Sequence, residues 1–398
     1  MSKLILCLAL CLALIMPAAV FAEEAAGSDE TVRLTVWGAQ STQVVLAALI
    51  NEFKQDHPDK QYDITLKAVE EPDLWFRYRE DPDSLSDIFA FVSDRLIGLV
   101  EAGVLLPVGQ SREAVIADNT PSSVESAMVD GVLYAYPKTE DNGYFLYYDA
   151  SVLTPEDVET LDALLAAANA SDKRMFMDIA NGWYIVSFFF GAGCRLDIDE
   201  AGRQVCDFNS DAGVAAGEAI RVFTANPAFL HGDDATFITG IGDTICAGVS
   251  GTWNAAAVKR RLGDNYRACK LPTFTLNGQQ VQMGSFIGTK LMGVNANTVF
   301  PDDADELAAF LNNEHAQLIR YKVLNMGPSN INAAAFEEIH ADTALDALMD
   351  QNEFGIDTKT VKDAFWDPAA VLGQTLIDQS QTDIRALLDD MVAAVSGR

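Results

Sequence analysis

The stretch "TVRLTVWGAQSTQVVLAALINEFKQDHPDKQYDITLKAV", residues 31–69, constrains the fold more than any other feature. "TVRLTVWGAQ" alternates apolar and polar residues and reads as a strand ending at Trp37-Gly38. "STQVVLAALINEFKQDHP" reads as a helix: Ser41 or Thr42 supplies a cap, Val45, Leu49 and Phe53 line one face, and Pro58 follows the end. "QYDITLKAV" is a second strand. A strand, a helix and a strand in this order build a parallel sheet, because parallel neighbours need a long crossover.

The alternation recurs. "SDIFAF" reads as a strand, and "SDRLIGLVEAG" as a helix stopped by Gly103. "TPEDVETLDALLAAA" is expected to form a helix with Thr154 as cap and Pro155 in its first turn. "RMFMDI" and "SFIGTKLMGVNAN" read as strands, "SDAGVAAGEAIRVFTAN", "DDADELAAFLNN" and "EHAQLIRYKVLN" as helices. "WYIVSFFFGAG" is apolar enough to require burial. The last helix puts Ile384, Leu387, Leu388, Met391, Val392 and Val395 on one stripe. Two alternating halves without a linker imply α/β lobes that exchange several strands.

Length agrees, since 398 residues exceed one ordinary core. The chain opens Met1-Ser2-Lys3, with one charge at Lys3, then runs apolar from Leu4 to Val20 and reaches Val20-Phe21-Ala22 before Glu23. That is the pattern of a secretory signal over residues 1–22, cleaved after Ala22. A lipid anchor would require a Cys after the cut; Cys11 precedes it, so an exported, unlipidated protein is expected, periplasmic or extracellular at the cell envelope. The formal charge of −31, from 58 acidic and 27 basic residues, disfavours nucleic acid and anionic lipid as partners. A monomer is expected.

Four of the six cysteines lie beyond the signal, in a compartment that permits disulfides. Cys194 and Cys206 are symmetric about Glu200, inside the turn signal Asp199-Glu200-Ala201-Gly202, which predicts a bridge across a hairpin. Cys246 and Cys269 lie in "TICAGVSG" and "YRACKLPTF", and a bridge between neighbouring strands is expected there.

Motifs for catalysis are missing. The four histidines share no metal-ligand spacing, and no nucleophile elbow, phosphate loop or dinucleotide glycine pattern occurs. No cofactor is expected. "YPKTEDNGYFLYYD", residues 136–149, sets five aromatic rings beside the turn Glu140-Asp141-Asn142-Gly143. Flat apolar faces beside carboxylates suit a sugar ring, and they also suit a buried hairpin corner.

In order along the chain stand "LTVWGAQST", "SDIFAFVSDRLIGLVEAGVLLPV", "DGVLYAYPKTEDNGYFLYYDASVL", "GDTICAGVSGTWN", "YRACKLPTF", "GSFIGTKLMGVNAN" and "AFWDPAAV". In these the chain resembles the maltose-binding-protein-like family of extracellular solute-binding proteins, over nearly its whole length. The resemblance implies a two-lobe periplasmic-binding-protein-like fold, with a ligand cleft between α/β lobes joined by crossing strands. It implies a receptor that captures a sugar or oligosaccharide and delivers it to the membrane permease of an ABC importer. The family's cleft falls on Trp37 and Gln40, on Phe91, Asp94 and Arg95, on Asp141, on Trp183 and Tyr184, and on Trp253 and Trp366. Two departures from the family's maltodextrin binders stand out. Gly38-Ala39-Gln40-Ser41 replaces further charged residues, and Asp367 replaces an aromatic beside Trp366.

The implied N-terminal lobe is residues 31–140 plus 288–344, and the C-terminal lobe is 141–287 plus 345–398. The "KTEDNGY" stretch is expected to cross between them, with Asp141 at the cleft floor and Asn142-Gly143 as the pliable point. Two rival readings remain at this stage: a secreted carbohydrate-acting hydrolase, and an adhesin or sensor ectodomain that binds ligand without transport.

Overall fold

The computed structural model describes residues 31–199, 201–378 and 383–397. The leader expected at residues 1–22, with Cys7 and Cys11, lies outside them, as does Glu200.

The first strand, Val32–Gly38, buries alternate residues, and the helix Gln43–Asp56 carries the chain to a parallel second strand, Tyr62–Ala68. The helix buries Val45, Leu49 and Phe53 as its period predicts. Thr42 supplies no side-chain cap; its hydroxyl instead donates to the Ala39 carbonyl, tightening a preceding 3-10 turn. Ile88–Val92 pairs with the first strand, and Gly103, at φ +68°, ends the short helix Leu96–Glu101. That φ favours glycine.

One strand organises the rest. Tyr136–Asp149 is 14 residues long and serves two sheet regions. Its first half pairs antiparallel with Ser285–Val294, which continues through Ile88–Val92 to the first two strands. Its second half pairs with Ile245–Gly251, which continues to Arg174–Phe176 and Phe229–Leu230. Side chains on this strand alternate faces. Tyr144, Leu146 and Tyr148 join one apolar cluster, and Phe145 and Tyr147 join another. Both sets of rings are therefore core; neither turns to open space. Gly143 is not in the left-handed region. It is needed for close approach, because a Cβ there would fall 2.7 Å from Leu348 Cδ1.

One helix differs from its expected form. The segment after Thr154 forms only a 3-10 turn, Glu156–Val158, and the helix proper is Leu161–Ala170. Thr160 is extended and caps it by accepting from the Ala163 N–H, so it takes the role expected of Thr154. The run "WYIVSFFFG" falls in a helix, Gly182–Gly191, buried nearly all round. The final helix, Ile384–Ser396, presents its expected stripe, with Ile384, Leu388, Met391 and Val395 buried.

Both expected disulfides are corrected: all four cysteines are free thiols. In the hairpin, Leu196 pairs with Cys206, so the chain turns about Ala201 and not Glu200. Asp199 Oδ1 accepts the N–H groups of Ala201 and Arg203, and Gly202 takes φ +70°, which fixes this longer turn. Cys194 is thereby carried two residues past the position facing Cys206. Cys246 and Cys269 are not on neighbouring strands. Tyr148 pairs with Ala247 on one edge and with Arg267 on the other, so Tyr136–Asp149 runs between the two cysteine strands. Strands two apart stand about 9–10 Å from each other, beyond the reach of a disulfide.

Candidate functional site

The crossing strand is irregular where the candidate site begins. Asn142 pairs with Gly288, but Thr139 pairs with Lys290, so the strand carries one extra residue at Glu140-Asp141. Such a bulge re-aims side chains and is common beside binding sites. The backbone groups freed here meet Gly327: Glu140 N–H donates to its carbonyl, and its N–H donates to Asp141 Oδ2 at 2.9 Å. Asp141 is buried, its Oδ1 lies 4.0 Å from Lys290 Nζ, and that oxygen has no hydrogen-bond partner among the described residues.

Charge is concentrated around this bulge. Lys138, fully buried, donates to Glu71 at 2.6 Å. Burial opposes ionisation of Glu71, but Lys138 and Lys290 outweigh it and hold the carboxyl down at about 2. Arg320 donates to the Lys138 carbonyl at 2.9 Å.

The turn Ser93–Arg95 follows directly from Ile88–Val92 and supplies Asp94 and Arg95. Asp94 Oδ2 stands 3.4 Å from Arg95 Nε, and Asp94 Oδ1 is buried without a hydrogen-bond partner among the described residues. Burial pushes Asp94 up to about 6, with Arg95 opposing and Asp363 adding to the rise. Arg95 also donates to Asp363 Oδ1, whose other oxygen accepts from Trp75 Nε1 at 3.0 Å. So Arg95 orients Asp94 and also reaches a segment 268 residues away.

Aromatic rings form the other part. Asn181 caps the helix Gly182–Gly191 and fixes Trp183 in its first turn. Trp183 lies 5.4 Å from Phe286, 5.8 Å from Tyr144 and 6.4 Å from Trp366, centroid to centroid. Gly182 permits this approach, since a Cβ there would sit 3.3 Å from the Trp366 ring. Trp183 Nε1 and Trp366 Nε1 are both buried without partners among the described residues. Tyr184 is buried against Tyr144 at 4.9 Å. Trp253 is 41% exposed; its Nε1 donates to Asp234 Oδ2 at 3.1 Å.

Other expected residues are placed differently. Trp37 and Phe91 are buried in the apolar cluster of the first strands, with Lys67 Nζ 5.0 Å over the Trp37 ring. Gln40 is exposed, and its N–H donates to Glu70 at 2.9 Å. Trp75, Lys290 and Asp363 were missed in the sequence. Trp75 in "DLWFRYRE" carried a signal, being the one tryptophan that the resemblance does not place in the cleft, and Lys290 stands inside the quoted "GSFIGTKLMGVNAN"; Asp363 carried none.

The comparisons with known proteins bear on the fold and the family. The galactooligosaccharide-binding protein of Bacillus subtilis (strain 168) is 25% identical over an alignment covering 100% of this chain and 96% of its own length. A structure solved with acarbose superposes with a TM-score of 0.85 at 27% identity, covering 92% of this chain and 99% of that one. The maltodextrin-binding protein MalE1 of L. casei BL23, solved without ligand, gives 0.81 at 25% identity, covering 92% and 100%. These matches span both sheet regions and the crossing strands, so the architecture is the two-lobe binding-protein fold with its cleft between the lobes. The sequence profile of the bacterial extracellular solute-binding proteins matches residues 48–347, and the chain belongs to that family.

Proposed function

We propose that this protein captures a sugar or oligosaccharide in its interlobe cleft and hands it to the membrane permease of an ABC importer. One observation carries the reading: indole N–H groups in the Trp183, Phe286 and Trp366 ring cluster, and carboxylate oxygens on the crossing strand and the Ser93–Arg95 turn, are buried and unmatched among the described residues. Trp183 Nε1, Trp366 Nε1, Asp94 Oδ1 and Asp141 Oδ1 are buried without partners among the described residues. Each such atom costs about 1–3 kcal/mol if it stays unpaired. Hydroxyls of a pyranose supply the missing donors and acceptors, and its C–H face covers an indole. One covered ring face, ~80–100 Å², contributes about 2 kcal/mol. The names of the relatives, a galactooligosaccharide and a maltodextrin binder, support the same class.

In this reading Asp94, Arg95 and Asp141 bond hydroxyls, with Gln40 at the rim. Trp183, Tyr184, Trp253 and Trp366 wall the cleft, and Trp37 and Phe91 back it from inside the N-terminal core. The N-terminal lobe is residues 31–140 with 288–344, the C-terminal lobe 141–287 with 345–398. In support, core membership changes between Tyr136 and Tyr144, and again between Phe286 and Leu291. Export as an unlipidated monomer belongs to the same reading, and the apolar run from Leu4 to Val20 supports the export.

The test is titration with two ladders of two to five units, maltodextrins and galactooligosaccharides, followed by tryptophan fluorescence and by analysis of the recovered sugar. A saturable change with intact sugar is expected. Shortened sugar would make the protein a hydrolase, and no response to either ladder would remove the saccharide reading.

A further inference from the structure

We infer that the corner formed by the helix Ala255–Leu262 and the strand Tyr266–Cys269 is a docking surface for a membrane with anionic headgroups. Five of the chain's 27 basic residues, Lys259, Arg260, Arg261, Arg267 and Lys270, fall within residues 259–270, with Asp264 the one acid among them. All five are exposed, and none forms an ion pair among the described residues. The chain has 58 acidic residues, so cations left without carboxylates stand out against the rest of the surface.

Packing fixes the corner. Ala255, Val258 and Leu262 bury one helix face in the apolar cluster that also holds Tyr266, and Lys259 and Arg260 are left to solvent. Arg261 Nε and Nη2 donate to the carbonyls of Ile241 and Thr239 at 3.2 and 2.7 Å. Arg267 Nη1 donates to the carbonyls of Asp264 and Tyr266 at 3.0 and 2.7 Å. Neutral acceptors thus orient both guanidiniums without cancelling their charge. Attraction to the helix C-terminus accounts for Lys259, Arg260 and Arg261. It does not reach Arg267 and Lys270, which lie beyond the helix.

The surroundings favour lipid over protein. A protein interface has an apolar core, and no large apolar side chain is exposed from Ala255 to Lys270. The strand Tyr266–Cys269 pairs only with the crossing strand among the described residues, and basic groups on such an edge deter a further strand. Lys and Arg are the groups that bind phosphate. Tyr266 faces Asp149, the last residue of the crossing strand, while Trp253 precedes the other end of the helix. Eight helical residues span about 12 Å. The corner is therefore turned away from the candidate site, and a membrane there leaves the cleft open. The formal charge of −31 disfavours an anionic surface for the chain as a whole. Screening acts over about 8 Å at physiological ionic strength, so the groups at the contact decide how the protein lands.

The experiment sediments the protein recovered after export with vesicles of phosphatidylcholine alone, and of phosphatidylcholine mixed with phosphatidylglycerol. Wild type should bind only the anionic vesicles, and high salt should release it. Lys259→Gln with Arg260→Gln should lower the partition coefficient on the order of tenfold, with the melting temperature unchanged. Arg33→Gln with Lys322→Gln removes the same charge from exposed positions elsewhere and should leave partitioning as it was. Equal loss in both pairs, equal binding to neutral vesicles, or no binding to either kind overturns the inference. Retention on soluble polyglutamate without binding to vesicles would assign the corner to an acidic protein segment and overturn it as well. None of these results depends on whether a saccharide binds the cleft.

Discussion

Trp253 lies flat against Gly251: a Cβ on Gly251 would fall 2.0 Å from the indole. With Asp234 holding its Nε1 at 3.1 Å, the ring is fixed on one face and one edge while 41% of the residue stays exposed. Trp253→Ala should therefore weaken saccharide binding by about 1–3 kcal/mol with little change in melting temperature. Gly251→Ala should displace the ring and reproduce the binding loss. Calorimetric titration beside a melting curve checks both, and normal affinity in Gly251→Ala would reject the platform.

Trp366 is different, because it is also a packing residue. Phe365, Phe286 and Trp183 surround it at 5.3, 5.5 and 6.4 Å. Trp366→Ala should lose both affinity and about 2–4 kcal/mol of stability. Urea unfolding of the empty protein separates this from Trp253→Ala, which should leave the midpoint in place.

Asp141→Asn should weaken ligand binding and also destabilise the empty protein. The sequence alone suggests that only binding suffers. But the carboxylate is buried, accepts the Gly327 N–H, and faces Lys290 at 4.0 Å. It also helps keep Arg320 charged, whose guanidinium burial pulls down to about 10. Removing this charge should cost about 1–3 kcal/mol, read as a lower denaturation midpoint without ligand.

Asp94 gives a pH signature. Its folded value, raised by burial to about 6, lies above the unfolded value near 4. The folded state then holds the proton more tightly, so the stability Asp94 contributes is full at low pH. It is lost as pH rises from about 4 through 6. Relative to Asp94→Asn, the wild-type melting temperature should fall across that window. Ligand affinity has the opposite sign, since hydroxyls donate to the carboxylate. Affinity should fall below pH 6 in wild type and stay flat in Asp94→Asn.

The cysteines should be reduced but sluggish. Burial pushes Cys194 and Cys246 up to about 11 and Cys206 and Cys269 up to about 12, so little thiolate is present near neutrality. Alkylation without reductant should be slow in the native protein and should reach all four after unfolding. Protection of a pair after unfolding would restore a disulfide.

Local pattern decided much of this molecule. The period of two in Val32–Gly38, the period near four in Gln43–Asp56 and the stripe of Ile384–Ser396 were legible because neighbours in sequence set which face is buried. The crossing at residues 136–149 was legible as an aromatic, acidic stretch, but its bulge was not, because an extra residue exists only relative to a partner strand. Register likewise separated the cysteines, through a turn centred one residue later than symmetry suggested and through a strand inserted between the other two. The link from Trp75 to Asp363 spans 288 residues, and no periodicity encodes such a pairing. Tertiary structure alone decided which tryptophans are core and which are surfaces, because burial depends on which elements meet and not on the residue itself.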